Sequence, residues 1–288
     1  MLGMYLFDKP IFETIPKGRN IMKKLFISAD IEGTCGITAW EETNAGGRNY
    51  DYFCQRMTAE VDAAARGAEN AGYVSTVKDA HDSARNIDPM GLPKTATLIR
   101  GWARDLYSMM GGLDREAFDA VAFTGYHSEA FNVGNPLSHT MTGAIHRITL
   151  NGMPCPEFLI NAYMAAYRGV PIVFLAGDEE ICRFAKELIP GITTVTAKTG
   201  YGSAVISRHP EVVREEIFKG VKDALSREDL SDCILALPKH FEMVVEYGDW
   251  NLAHKYSFYP GAVYVDAKTV KFETDDYYEL MRFMHFCV

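Results

Sequence analysis

Acidic and imidazole side chains follow directly on short apolar runs at several points along the chain. SADIEG at 28–33 carries Asp30 and Glu32, KDAHDS at 78–83 carries Asp79, His81 and Asp82, and TGYHSE at 124–129 carries His127. Asp30 and Glu32 stand two positions apart, so in an extended segment both side chains project to the same side. Two adjacent carboxylates repel unless a cation lies between them, and a divalent metal meets that need. Gly33 then lets the backbone turn sharply. Carboxylate oxygens with neutral imidazole suit zinc, with manganese as a second choice. Taken singly, a D-x-E pair also fits a solvated loop, and a lone histidine fits a satisfied core or surface group.

A second set lies further on. PLSHT at 136–140 places His139 in a Pro- and Ser-containing loop, either as a turn residue bonding backbone or as a catalytic imidazole beside a metal. Glu157 closes NGMPCPE and opens a helix, either as an acid favoured by the helix dipole or as a further metal carboxylate. His146, His209, His240, His254 and His285 read as ordinary surface or core groups. Cys35 and Cys155 lie near the acidic motifs but read as small buried residues. The chain carries no GxGxxG, P-loop, GxSxG or HExxH pattern.

The elements that must position these groups follow from periodicity. Apolar runs at 24–29, 73–78, 95–99, 120–124 and 172–176 predict buried strands. Between them, 56–70 reads as an Ala-rich helix stopped by Gly72, and helices are expected at 102–110, 157–168 and 178–188. Residues 144–150 followed by NGMP predict a hairpin, and Gly200 to Ser203 a glycine-rich turn. After Pro210, Val213, Ile217, Val221 and Leu225 repeat at helical spacing; runs at 241–247 and 262–267 read as strands, and 275–286 as a last helix. This predicts an α/β fold, a mostly parallel sheet flanked by helices with a smaller α+β C-terminal domain. The expected divisions are an N-terminal extension at 1–22, with Met22 an alternative start, a catalytic domain at 23–206 and a smaller domain at 207–288. Ligands of such a sheet bind beyond the carboxyl ends of its strands, where three of these runs deliver their charged groups.

With 288 residues, 48% hydrophobic and 23% charged, the chain has the composition of a packed globular protein and not of a disordered one. Its 29 basic residues against 38 acidic ones, a net charge of −9, give no support for nucleic-acid binding. The six cysteines include no CxxC pair and read as reduced thiols of a cytoplasmic protein. The N-terminus lacks the features of a signal peptide, and no apolar stretch is long enough to cross a bilayer, so no membrane association is expected.

The motifs, taken in order, resemble a family. SADIEG is similar to the S-x-D-x-E-G signature of the DppA-type D-aminopeptidases, and the likeness extends to GGRNYDY at 46–52, KDAHDS, GYHS, PLSHTM, NGMPCPE, NAYMAAYRGVPIVFLAGDE at 161–179 and ELIPGITTVTAK at 187–198. The resemblance implies two zinc ions per subunit, with manganese an alternative. Asp30 would be shared between them, and Glu32, His81, His127 and Glu157 would complete their shells. His139 matches the family's catalytic histidine. It also implies a short peptide substrate, with an N-terminal D-amino acid, cleaved by metal-activated water, and a homo-oligomer built as a ring-stacked decamer. The region 207–288 matches less closely. A two-metal phosphoesterase would use similar ligands but needs Arg or Lys nearby, for which Arg85 is the nearest candidate. A non-catalytic peptide-binding protein is the third class.

Overall fold

The computed structural model describes residues 22–288, so the expected extension lies outside the described residues except for Met22. Strand β1 (Lys23–Ala29) is apolar because it is covered on both faces, and β2 (Tyr73–Asp79), β3 (Thr97–Ile99) and β4 (Ala120–Tyr126) join it in parallel. Later come β7 (Ile172–Asp178) and β8 (Thr193–Tyr201), also parallel, and an antiparallel edge strand β9 (Ala204–Ser207). The order of this seven-stranded sheet is β3-β2-β1-β4-β7-β8-β9.

A second sheet is antiparallel. Its strands are β5 (Ile145–Leu150), β6 (Met153–Pro154), β10 (Phe241–Tyr247), β11 (Val263–Asp266) and β12 (Thr269–Thr274), in the order β11-β12-β10-β5-β6. Asn151 and Gly152 both have positive φ (52° and 76°), the conformation that closes a two-residue hairpin between β5 and β6. The architecture is the expected one, a mostly parallel sheet flanked by helices plus a smaller antiparallel part.

Side chains alternate along each strand and feed two cores. Leu25 and Ile27 face helix α1 (Tyr50–Asn70) and helix α4 (Pro210–Leu225), whereas Phe26 faces the other core. That second core also holds α2 (Glu157–Tyr167), α3 (Glu179–Leu188), the antiparallel sheet, α5 (Trp250–Tyr256) and α6 (Tyr277–Cys287). The alanines of α1 have a packing reason. A Cβ on Gly67 would lie 2.5 Å from the Phe218 carbonyl oxygen of α4, so only small residues let the two helices approach this closely.

Several boundaries differ from expectation. Helix α1 begins at Tyr50, not 56, taking in part of the GGRNYDY motif. The helix expected at 102–110 reduces to a single 3-10 turn, Ser108–Met110, because Gly101 and Arg104 adopt positive φ (87° and 62°) and break the helical path. Strands β8 and β9 and helix α5 had no prediction, since their apolar positions are few and interrupted. A cut at 206 would part α4 from the α1 face it covers, while β5, from before that cut, pairs with β10.

Parallel strands β1 and β4 are neighbours, but the chain leaves them in opposite directions across the sheet. This is a topological switch point, where the two outgoing loops make a crevice. Here the loops cross in contact: the Gly33 N–H donates to the Gly125 carbonyl at 2.8 Å and the Asp30 N–H to the Thr124 carbonyl at 2.9 Å. A Cβ on Gly33 would lie 1.8 Å from the Tyr126 carbonyl oxygen. Gly33→Ala is therefore expected to destabilise by about 1–3 kcal/mol or more through backbone displacement. Gly143→Ala, where a Cβ meets nothing within 4 Å, should be near neutral; equal urea midpoints for the two variants would contradict the close crossing.

Candidate metal centre

Each chemical group reaches the crevice from a different element. Asp30 and Glu32 leave the end of β1, His81 the end of β2, and His127 the end of β4. His139 comes from the loop beyond β4. Glu157 is the first residue of α2, delivered by the β5–β6 hairpin of the other sheet. All six groups named from the sequence meet here, although they span nearly half the chain.

Asp30 stands at the centre. Its Oδ1 lies 3.3 Å from His81 Nδ1, and its Oδ2 lies 3.4 Å from His127 Nε2. Glu32 Oε2 is 3.1 Å from His81 Nδ1, and Glu157 Oε2 is 3.7 Å from His127 Nε2. The groups thus fall into two adjoining sets, Asp30, Glu32 and His81 on one side and His127, His139 and Glu157 on the other, with the offered atoms of each set within 4.8 Å of one another and the sets joined by the Asp30–His127 contact. Donors held about 2.0–2.2 Å from one tetrahedral zinc lie roughly 3.3–3.5 Å apart, which is the spacing seen here.

The imidazoles are oriented from behind. His81 uses Nε2 to reach the Thr43 carbonyl, His127 uses Nδ1 to reach Ser128 O, and His139 uses Nδ1 to reach Leu137 O, each at 2.9 Å. A ring nitrogen facing a carbonyl carries the hydrogen, so the other nitrogen turns its lone pair toward the carboxylates, as metal-bound histidines do. Asp30 Oδ2, Glu32 Oε2 and His127 Nε2 are buried without any hydrogen-bond partner. Leaving a buried polar atom unpaired costs about 1–3 kcal/mol, more when it is charged. Oxygen and nitrogen donors of this kind, unsatisfied and convergent, fit a divalent cation on each side of Asp30.

The electrostatics carry the same message. Burial, then the charge of Glu32, hold the Asp30 carboxyl well above its usual range. Burial works in the same sense on Glu32, but the charge and hydrogen bond of His81 outweigh it and hold this carboxyl well below its usual range. Burial opposes the charged form of His127, yet Glu157 and Asp30 prevail and raise it to about 9. His81 is likewise raised, against burial, by Glu32 and Asp30. Concentrated negative charge is seeking positive partners.

Above the ligand atoms is a cavity of about 320 Å³ whose rim includes Trp40, Asp82, Trp102 and Met141. His139 is the least buried of the six and lines this cavity. Its ring stacks on that of His127 with centroids 4.5 Å apart and planes 10° from parallel, and Trp40 meets its other side edge-on at 5.1 Å.

Other residues brace the centre and had no assigned role in the sequence. Asp79, flagged there as a strand-end acid, points away from the cluster and accepts from the backbone of Asn86 and Ile87 at 2.6 and 2.8 Å, shaping the loop that carries His81. Asp178, at the end of β7, accepts from the backbone N–H of Ser128 at 2.8 Å and caps α3 through Ile181 N at 2.9 Å. Lys198 is fully buried and its ammonium donates to the carbonyls of Glu32 and Ile37, while Asn135 donates to the same Glu32 carbonyl at 3.0 Å. The strand-end criterion that found His127 also applies to Asp178; Lys198, inside the threonine-rich β8, had no such signal. Of the histidines read as ordinary, His209 caps α4 and His240 pairs with Asp275 at 2.7 Å, both away from the centre.

Comparison with known proteins agrees with this geometry. Residues 22–286 match the family model described as D-aminopeptidase. The chain is 31% identical over 264 residues to a D-aminopeptidase of Bacillus subtilis (strain 168), covering 91% of this chain and 95% of that one. It is also similar to the solved structure of a Zn-dependent D-aminopeptidase, DppA, from Bacillus subtilis, a self-compartmentalizing protease. That likeness has a TM-score of 0.85 and 30% identity over 92% of this chain and 96% of the other. Family match, sequence identity and overall fold coincide, and the chain belongs to the D-aminopeptidase family.

Proposed function

We propose that the protein is a zinc aminopeptidase that removes an N-terminal residue, of D configuration, from short peptides, with two ions bound at the crevice. The observation that carries this reading is the division of Asp30 between two donor sets, one oxygen toward His81 and the other toward His127. In it Asp30 would be shared by both ions, Glu32 and His81 would complete one site, and His127 and Glu157 the other. Zinc is supported by the donor types and by the Zn-dependent relative. Manganese would accept the same oxygen-rich set.

Bound there, the ions would lower the pKa of a coordinated water from 15.7 to about 7 and polarise the scissile carbonyl. The chain's own residues do the rest. His139, which lines the cavity, would handle the proton: with Nδ1–H held by Leu137 O, its Nε2, 3.6 Å from Glu157 Oε1, is placed to take a proton during attack and return it to the leaving amine. Trp40 holds that ring in place, and Trp102 with Met141 narrows the approach for the peptide. The cavity that contains the ligand atoms has no Arg or Lys in its lining, which counts against a phosphate ester as substrate.

Two further parts of the proposal concern the cell. All six cysteines are free thiols and five are buried, which supports a reducing, cytoplasmic setting. Among the described residues no helix is long and apolar enough to cross a membrane. Assembly into a ring-stacked decamer is supported by likeness across nearly the whole chain to a protein described as self-compartmentalizing.

Asp30→Ala should abolish activity and release bound metal together, weakening affinity beyond the roughly 10–100-fold that loss of a supporting hydrogen bond costs. Elemental analysis that still found two equivalents would refute the bridging role. His139→Ala should keep its metal while kcat on a D-alanyl dipeptide falls about 10²–10⁴-fold; unchanged turnover removes the proton-transfer assignment. Because His127 titrates at about 9 and His81 is also raised, both carry protons at neutral pH in metal-free protein and lose them when zinc binds. Calorimetry in buffers of different ionisation enthalpy should thus register net proton release near pH 7 that shrinks as pH rises past 9. Release independent of pH would contradict it.

A further inference from the structure

The cavity above the metal ligands continues into a second chamber of different charge. This outer space, about 680 Å³, shares Asp82, Trp102 and Met141 with the inner one, and its wall adds Arg85 and Arg104. Among the described residues neither guanidinium takes part in an ion pair, whereas the arginines of α3, α4 and α6 pair with nearby carboxylates. The two acids of the chamber are placed differently. Asp105 accepts from the Tyr107 N–H at 3.0 Å, and Asp82 stands at the junction with the inner cavity. The outer wall thus adds two guanidiniums without ion pairs, whereas the ionisable groups of the inner cavity are carboxylates and imidazoles.

The wall is also held in an unusual backbone form. Asp82, Arg104, Ser108 and Met141 all line the chamber and all have positive φ, at 40°, 62°, 51° and 64°. Residues with a Cβ keep that conformation only where their surroundings impose it, and such positions gather at ligand sites. The imposing contacts are present: the Trp102 indole donates to the Asp82 carbonyl at 2.5 Å, and the Met141 N–H to Glu157 Oε1 at 2.6 Å. The second of these contacts ties the outer chamber directly to the metal centre through Glu157.

We infer that Arg85 and Arg104 form a subsite for the free C-terminal carboxylate of the substrate, which makes the enzyme selective for very short peptides. The inference rests on the aminopeptidase reading above. A short peptide is a zwitterion, and a scissile carbonyl at the metal centre sends its ammonium and its carboxylate in opposite directions. The guanidinium fork matches a carboxylate geometrically and stays charged at any working pH. Each added residue extends a chain by about 3.3–3.6 Å, so longer peptides carry their carboxylate past the arginines.

The test replaces both arginines (R85M/R104M) in the zinc-loaded full-length enzyme and compares a D-alanyl dipeptide with its C-terminal amide. In the wild type, kcat/KM for the free acid should exceed that for the amide about tenfold, expressed in KM. The ratio should fall to about one in R85M/R104M, and R85K/R104K should recover part of it. A ratio that the methionine variant leaves unchanged, or no preference in the wild type, overturns the subsite. Binding of the same two compounds to zinc-loaded His139→Ala protein, with and without R85M/R104M, gives a readout without turnover. There the acid-to-amide Kd ratio should show the same arginine dependence; a ratio independent of the arginines, or no binding of the acid, again overturns it. Should the wild type hydrolyse neither compound, the aminopeptidase reading fails, and the Kd ratio still decides the subsite separately.

Discussion

Three carboxylates and three imidazoles, withdrawn from water and turned toward one another, set the terms for the rest of this molecule. Buried charge is tolerated only where it is paired, and here the raised imidazoles pair with the carboxylates only while they hold protons that a metal would displace. The protein has taken care of the outward side of every imidazole, each of which has a backbone carbonyl behind it. What it leaves on the inward side is a surplus of electron pairs aimed at two small volumes on either side of Asp30. Such an arrangement makes sense as one half of a structure that cations complete.

The fold exists around that arrangement. Only at the switch point between β1 and β4 do two outgoing loops leave a gap into which four side chains can be lowered from strand ends. Gly33 and Gly125 let those loops cross at backbone distance, which fixes Asp30 and His127 relative to each other. Beneath them, a buried lysine and a buried aspartate complete the support. Burial pushes the Lys198 ammonium down to about 8, against the charges of Asp178 and Glu32 that favour it, and its hydrogens go to the carbonyls of the loop that carries Glu32.

Much of this was legible in the sequence because metal chemistry is written in residue types. Asp30, Glu32, His81 and His127 announce themselves by following apolar runs that can only be buried strands. The parallel sheet announces itself by those same runs. His139 and Glu157 were ambiguous until the motifs were taken together, because a loop histidine and a helix-leading acid each have ordinary explanations. What stayed hidden depends on three-dimensional pairing. Asp79 sits beside His81 in the sequence yet turns the other way, a choice made by the Asn86 and Ile87 backbone. Strands β8 and β9 escaped because an edge hairpin, wet on one side, lacks a continuous apolar run. The membership of β5, and through it β6, in the second sheet is set by the pairing of β5 with β10, roughly ninety residues away, and local pattern carries no trace of it.

That last pairing has a consequence for how the two layers live together. Glu157 is handed to the crevice by a hairpin whose strand pairing belongs to the antiparallel sheet, and its carboxylate also anchors the Met141 backbone. The antiparallel layer is thus a structural tenant of the parallel layer's chemistry. Sliding one across the other would pull a carboxylate out of the cluster, so loading the centre would add a rivet between layers that already share one hydrophobic core.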